Sequence, residues 1–152
     1  MTICINLSDA KDTAIRIGVA AVVTAGMAAG SSCTAKAEIP PGFEDDPLTV
    51  VRVFNDDVNA RMTDAAVDLI DDDAVFIDQT GHTFSGKTNV GGWLQERVKR
   101  NERYEFCDLW VSGDRVIWTE RVFTADSLRV EKNEAIVQRG RITLFRLLQG
   151  AK

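Results

Sequence analysis

A chain of 152 residues, 45% of them hydrophobic, suffices for one folded core and is too short for two ordinary domains. Acidic residues outnumber basic ones by 23 to 18, and the lysines and arginines are scattered. No basic stripe is present to neutralise a phosphate backbone, which argues against nucleic acid as a partner.

The first 37 residues read as an export leader. Lys11 and Arg16 precede an uncharged Ala-, Gly- and Val-rich run from Ile17 to Ala35, the layout of a secretory signal. The run to Gly30 is too short and too rich in small residues to favour a permanent span, which needs about 20 apolar residues. Two exits are open. Ala35-Lys36-Ala37 fits ordinary cleavage, while Ser31-Ser32-Cys33 resembles a lipoprotein box that carries Gly30 where a branched residue is usual. A lipid at Cys33 would then be the only membrane attachment. A mis-assigned start or a cytoplasmic tail is the competing reading. With Cys4 and Cys33 removed or lipidated, Cys107 is expected as a lone buried thiol without an activating partner.

Residues 38–46, with Pro40, Pro41 and Gly42, have linker composition. The domain runs from 47 to 152. Val50, Val51, Phe54 and Val58 recur at the spacing of one helical face over 48–59. Thr63 or Asp64 can cap a second helix that buries Ala66, Val67 and Ile70 and ends at Asp71-Asp72-Asp73. A strand over 74–78, a turn through Gly81 and a return at 82–84 form a hairpin. A third helix spans 86–101 with Val90, Trp93, Leu94 and Val98 on one side, and basic residues at its C-terminal end, where the dipole favours them. The rest is expected as three long antiparallel strands: 103–112, a Gly113-Asp114 turn, 115–124, a loop at Lys132-Asn133, and 134–148. This order predicts an α+β fold in which about three helices cover one face of a curved antiparallel sheet.

That order resembles the nuclear-transport-factor-2-like superfamily, which includes ketosteroid isomerases, limonene-1,2-epoxide hydrolases and SnoaL-type polyketide cyclases. The strings Asp72-Asp73-Ala74-Val75-Phe76-Ile77-Asp78, Phe84-Ser85-Gly86-Lys87 and Gly113-Asp114-Arg115-Val116 carry the resemblance, from about Leu48 onward. Trp118-Thr119-Glu120-Arg121-Val122 is most similar to limonene epoxide hydrolase, where an Arg between two Asp residues separates an acid from a base. Arg121 matches that Arg. One partner Asp falls on Phe123, and the family's water-holding Tyr and Asn fall on Phe76 and Asp78. The strand bearing the other Asp is expected to be missing after Leu148; placing it at Gly140-Arg141-Ile142 instead would turn that Asp into Leu147. In the ketosteroid isomerase comparison Asp78 matches the general base, while the oxyanion-hole residues fall on Phe54 and Thr143.

The resemblance therefore implies a cone-shaped pocket for a small, mostly apolar molecule, lined by Phe54, Phe76, Trp93, Phe123, Thr143 and Phe145. Asp78 and Arg121 are its candidate catalytic residues, and neither comparison implies a cofactor. Asp78, with a carboxyl raised by desolvation, is expected to act as base. The competing reading is a strand-end Asp bonded to the following turn. Arg121 either clamps Asp78 or pairs on the surface. His82 has no sequence-near partner to orient it. Asp71-Asp72-Asp73 lacks calcium-loop spacing and reads as a solvated helix exit, so no metal site is expected. An active hydrolase or isomerase, a binding module that lost its chemistry, and a truncated product all remain open, as does a homodimer. Intact-mass measurement of protein from its native host should show a chain beginning at Cys33 or Glu38; a full-length cytosolic species would refute the leader.

Overall fold

The computed structural model describes residues 38–148; the leader and the two short-range exits proposed for it lie outside them. The first helix, α1 (Pro47–Asn59), begins where the sequence supplies a cap. Asp46 accepts a hydrogen bond from the Thr49 amide at 2.8 Å, and Pro47 occupies the first turn, where no amide donor is needed. Its buried face carries Val50, Val51, Phe54 and Val58, as the spacing predicts. The second, α2 (Thr63–Asp68), has Met62 rather than Thr63 or Asp64 at its cap position, with no side-chain capping bond.

Strand β1 (Ile70–Ile77) absorbs the segment expected to end α2. Ile70 is fully buried beside Ile142, and the Ile142 amide donates to Leu69 at 2.9 Å. Those tertiary contacts draw Asp71-Asp72-Asp73 into an irregular stretch of strand, and Asp72 and Asp73 stay exposed. A short β2 (Thr83–Ser85) closes the hairpin, and α3 (Lys87–Lys99) follows.

The β-rich third comprises β3 (Arg103–Ser112), β4 (Arg115–Phe123), β5 (Leu128–Gln138) and β6 (Arg141–Leu148). The expected loop at Lys132-Asn133 is continuous strand, with Lys132 exposed and Asn133 fully buried. The break comes at Arg139 and Gly140, both at positive φ (53° and 71°), the backbone of a tight two-residue hairpin. What reads as one strand over 134–148 is thus the end of β5 plus all of β6. Six strands form one sheet in the order β2-β1-β6-β5-β4-β3, and β6 runs parallel to β1. The strand expected to be missing is β6 itself, and the sheet is mixed rather than wholly antiparallel. The helices pack on the sheet around a core that includes Phe54, Phe76, Leu94, Trp118 and Phe145.

The linker is fastened to this sheet at Gly140. A Cβ there would collide with the backbone oxygen of Glu44, and the positive φ is itself unfavourable for an L side chain. Gly140→Ala should therefore cost about 1–3 kcal/mol, mostly as backbone strain. Urea denaturation should show a lowered midpoint at an unchanged slope; an unaltered midpoint would mean that residues 38–46 do not hold this position.

Candidate functional site

Alternation along β4 decides which side chains face the helices. Val116, Trp118, Glu120 and Val122 are buried, whereas Ile117, Thr119, Arg121 and Phe123 are only partly so. Cross-strand pairing extends the inner face. Tyr104 and Arg129 flank Val122, Phe106 and Glu131 flank Glu120, and Asn133 lies between Trp118 and Leu147. Into this face α3 inserts Arg97.

The Arg97 guanidinium, 5% exposed, lies 4.8 Å from the Trp93 ring centre and 4.9 Å from that of Tyr104. Its Nε donates to Glu102 Oε2 at 3.0 Å and to the Tyr104 hydroxyl at 2.8 Å, and its Nη2 donates to Glu131 at 3.1 Å. Tyr104 donates to Glu102 at 2.6 Å. Arg100 and Arg129 bond the other oxygen of Glu102 at 2.8 and 3.0 Å, and Arg129 also bonds Glu131 at 2.6 Å. Burial opposes ionisation of Glu102, but the hydrogen bonds from Tyr104 and Arg100 and the charge of Arg97 outweigh it and hold the carboxyl at about 2. Burial likewise opposes the charge on Arg97, whose pKa is nonetheless raised by Tyr104, Glu131 and Glu102.

Glu120 is the exception in this network. Its carboxylate is buried and accepts one bond from the Trp118 indole at 3.0 Å. Desolvation pushes its pKa up to about 7, against the Trp118 bond and the Arg97 charge, and Glu131 adds to the rise. Glu131 lies directly opposite Glu120 across the strand pair, where like charges repel, and it is Glu131 that holds the bonds to Arg97 and Arg129. Asn133, fully buried beside them, has neither amide atom in a hydrogen bond among the described residues.

The space at this point, bounded by Phe54, Leu94, Arg97, Tyr104, Glu120 and Phe145, is about 10 Å³, the space of one water. Outside it opens a polar cleft between Asp78, Trp93, Arg100, Glu102 and Arg129. Trp93 and Arg97 border both spaces.

Of the residues expected to line the pocket, Phe54, Phe76, Trp93 and Phe145 converge. Phe76 lies 4.9 Å from Phe145, 5.7 Å from Trp93 and 6.3 Å from Phe54, between ring centres. Arg121 and Phe123 do not join them. Their strand alternation places them on the opposite face, with Arg121 between Glu105 and Val130 and with Phe123 under the Arg103 guanidinium at 4.9 Å. Thr143 sits where the β5–β6 pairing is irregular and donates to the Ile136 carbonyl at 3.2 Å; the inner stripe of β6 is Ile142, Phe145 and Leu147. Asp78 stands at the rim, where one carboxylate oxygen accepts from the Thr80 amide and hydroxyl and from the His82 amide, at 2.8, 2.6 and 3.0 Å. The Thr80 hydroxyl bond leads in lowering its pKa, the reverse of the expected rise, and the turn-bonding reading describes its geometry. His82 is exposed, its ring edge-on to Phe84. Cys107 is disulfide-bonded rather than a lone thiol, and the chain's other cysteines, Cys4 and Cys33, lie outside the described residues.

Sequence reasoning missed Arg97, Glu102, Tyr104, Glu120 and Glu131. The apolar stripe Val116, Trp118 and Val122 was visible and places Glu120, not Arg121, on the inner face.

No family model and no curated protein matches this sequence. Solved structures do match in fold. An NTF2-like protein of Cytophaga hutchinsonii aligns at a TM-score of 0.60 and 14% identity, over 75% of this chain and 93% of that one. A proposed ketosteroid isomerase of Kribbella flavida aligns at 0.63 and 16%, over 70% and 80%. A proposed polyketide cyclase of Sinorhizobium meliloti aligns at 0.60 and 21%, over 68% and 94%. The chain thus has the nuclear-transport-factor-2-like fold, an α+β cone of a mixed curved sheet and three helices. The likeness does not single out the limonene epoxide hydrolase branch.

Glu120 makes stability depend on pH with a known sign. Its folded pKa, about 7, lies above the ordinary value of 4.5, so the unfolded chain gives up this proton first. Its stabilising contribution is full below about pH 4.5 and is lost as pH rises to about 7, a change of order 3 kcal/mol. Glu120→Gln should flatten the unfolding free energy between these pH values. A slope identical to that of the parent would place the titration elsewhere.

Proposed function

We propose that the chain is a small-molecule pocket protein in which Glu120 exchanges a proton with a small, mostly apolar ligand. The observation that carries this reading is a fully buried carboxyl whose pKa of about 7 populates both protonation states near neutrality. That is the condition for effective general acid–base catalysis. A carboxyl held partly neutral by an apolar site can also donate a hydrogen bond to a developing oxyanion. For a ligand with an acidic C–H beside a carbonyl, the Glu120 carboxylate takes the proton, the C–H electron pair forms the enolate C=C bond and the carbonyl π pair moves onto the oxygen. The nearby positive charge of Arg97 stabilises the resulting enolate, and Phe54, Phe76, Phe145 and Trp118 exclude water. Two fold neighbours that bear the names ketosteroid isomerase and polyketide cyclase support an enzymatic reading. Asp78 and Arg121, one tied into a turn and the other on the outer face, are replaced in this scheme by Glu120 and Arg97. An exported setting for the protein rests on the leader pattern of residues 11–37.

A second reading, ligand binding without chemistry, is favoured by the small interior void. The two are separated by deuterium uptake at the α-carbon of a panel of small cyclic ketones in D2O, followed by NMR. Glu120→Gln should slow uptake by about 10²- to 10⁴-fold while shape is preserved. Ligand-induced thermal stabilisation with no protein-dependent uptake, or equal uptake by the variant, would refute the proton-transfer role.

A further inference from the structure

We propose that Trp93 is a gate between the outer clefts and the Glu120 void, and that it opens about Gly91 and Gly92. The inference rests on reading the interior as the ligand site, because an occupied interior needs a way in. A void of about 10 Å³ admits no organic ligand, so something bordering it must move. Trp93 borders that void, the polar cleft at Arg129 and a further cleft along Phe84 and Asn89. It is the side chain common to all three.

The two glycines before it are not demanded by the fold. Each costs about 1 kcal/mol relative to Ala within a helix. A Cβ at Gly92 would meet nothing within 4 Å, and one at Gly91 would reach ordinary contact with the Val67 side chain at 3.4 Å. Neither has a positive φ. They therefore weaken α3 at one point without any close approach that requires them.

The two sides of that point differ in how they are held. On the C-terminal side Arg97 is fixed by Glu102, Tyr104 and Glu131, and Leu94 is buried. On the N-terminal side the anchors are buried Val90, Gly91 packed beside Val67, one bond from the Gly86 amide to Ala74, and a 4.0 Å ion pair from Lys87 to exposed Asp72. The preceding β2 is a three-residue strand at the sheet edge. The start of α3 and β2 thus swing outward while Arg97 stays in place, and Trp93, at the hinge, leaves the void.

The Trp118 indole reports the opening, because its N–H bonds to Glu120 at the void and Trp118 is otherwise fully buried. Exchange of the Trp118 indole proton, measured by ¹H–¹⁵N NMR without ligand, should be nearly independent of low urea. The backbone amide of Val122 in the central β4 should instead accelerate steeply, since it waits for global unfolding. Gly92→Ala should slow the indole exchange about five-fold, the ratio given by the Gly–Ala helix propensity difference. Gly91→Ala should act in the same direction. An indole proton that shares the full urea dependence of Val122, or that is unmoved by both variants, overturns the gate. Because the readout uses no ligand, its result is independent of whether Glu120 proves to be a proton-transfer group.

Discussion

The buried guanidinium of Arg97 is the contact on which the rest of the site depends. One side chain from α3 joins the start of β3, through Glu102 and Tyr104, to β5, through Glu131. Removing one partner from such a buried pair costs about 3–5 kcal/mol, because a charge is left without compensation. Here the aromatic faces of Trp93 and Tyr104 add cation–π attraction on a guanidinium sheltered from water. Packing and charge balance on the inner face are therefore set by one group.

Glu120 follows from that arrangement. Arg97 and Arg129 are committed to Glu102 and Glu131, so the remaining carboxyl on the inner face has only an indole donor. Desolvation then dominates, and the group is poised between its charged and neutral forms. Asp78 shows the opposite balance. Three donors from its own turn meet one oxygen, and the carboxylate is stabilised where it stands. Two acidic residues of one small domain thus diverge because one has local donors and the other faces a filled apolar interior.

On the outer face the balance is simpler. Glu134, buried, pairs with both Arg115 and Arg146, and Glu105 pairs with Arg103. Arg121 and Phe123, which a sequence comparison assigned to the pocket, lie on this face too. An alignment of motifs at low identity tolerates a shift of one residue, and in a strand that shift reverses the face.

The sequence by itself determined what short-range physics controls. The domain start near Pro47, the apolar spacing of α1, the bounds of β3, the turn at Gly113-Asp114 and the aromatic set Phe54, Phe76, Trp93 and Phe145 were legible in it, as was the α+β order that resembles the nuclear-transport-factor-2-like fold. Capping, periodicity and turn chemistry act between near neighbours and leave their mark in composition. Only the tertiary structure decided that Asp71-Asp72-Asp73 joins a strand, that β6 closes the sheet parallel to β1, and that Arg97 meets Glu102, Tyr104 and Glu131 on the inner face. Those outcomes each depend on a partner more than 30 residues away, whether Ile142 beside Ile70 or Arg97 beside Glu131. Strand register and the field at a buried carboxyl are properties of neighbours in space, so the raised pKa of Glu120 arises only once the cone is assembled.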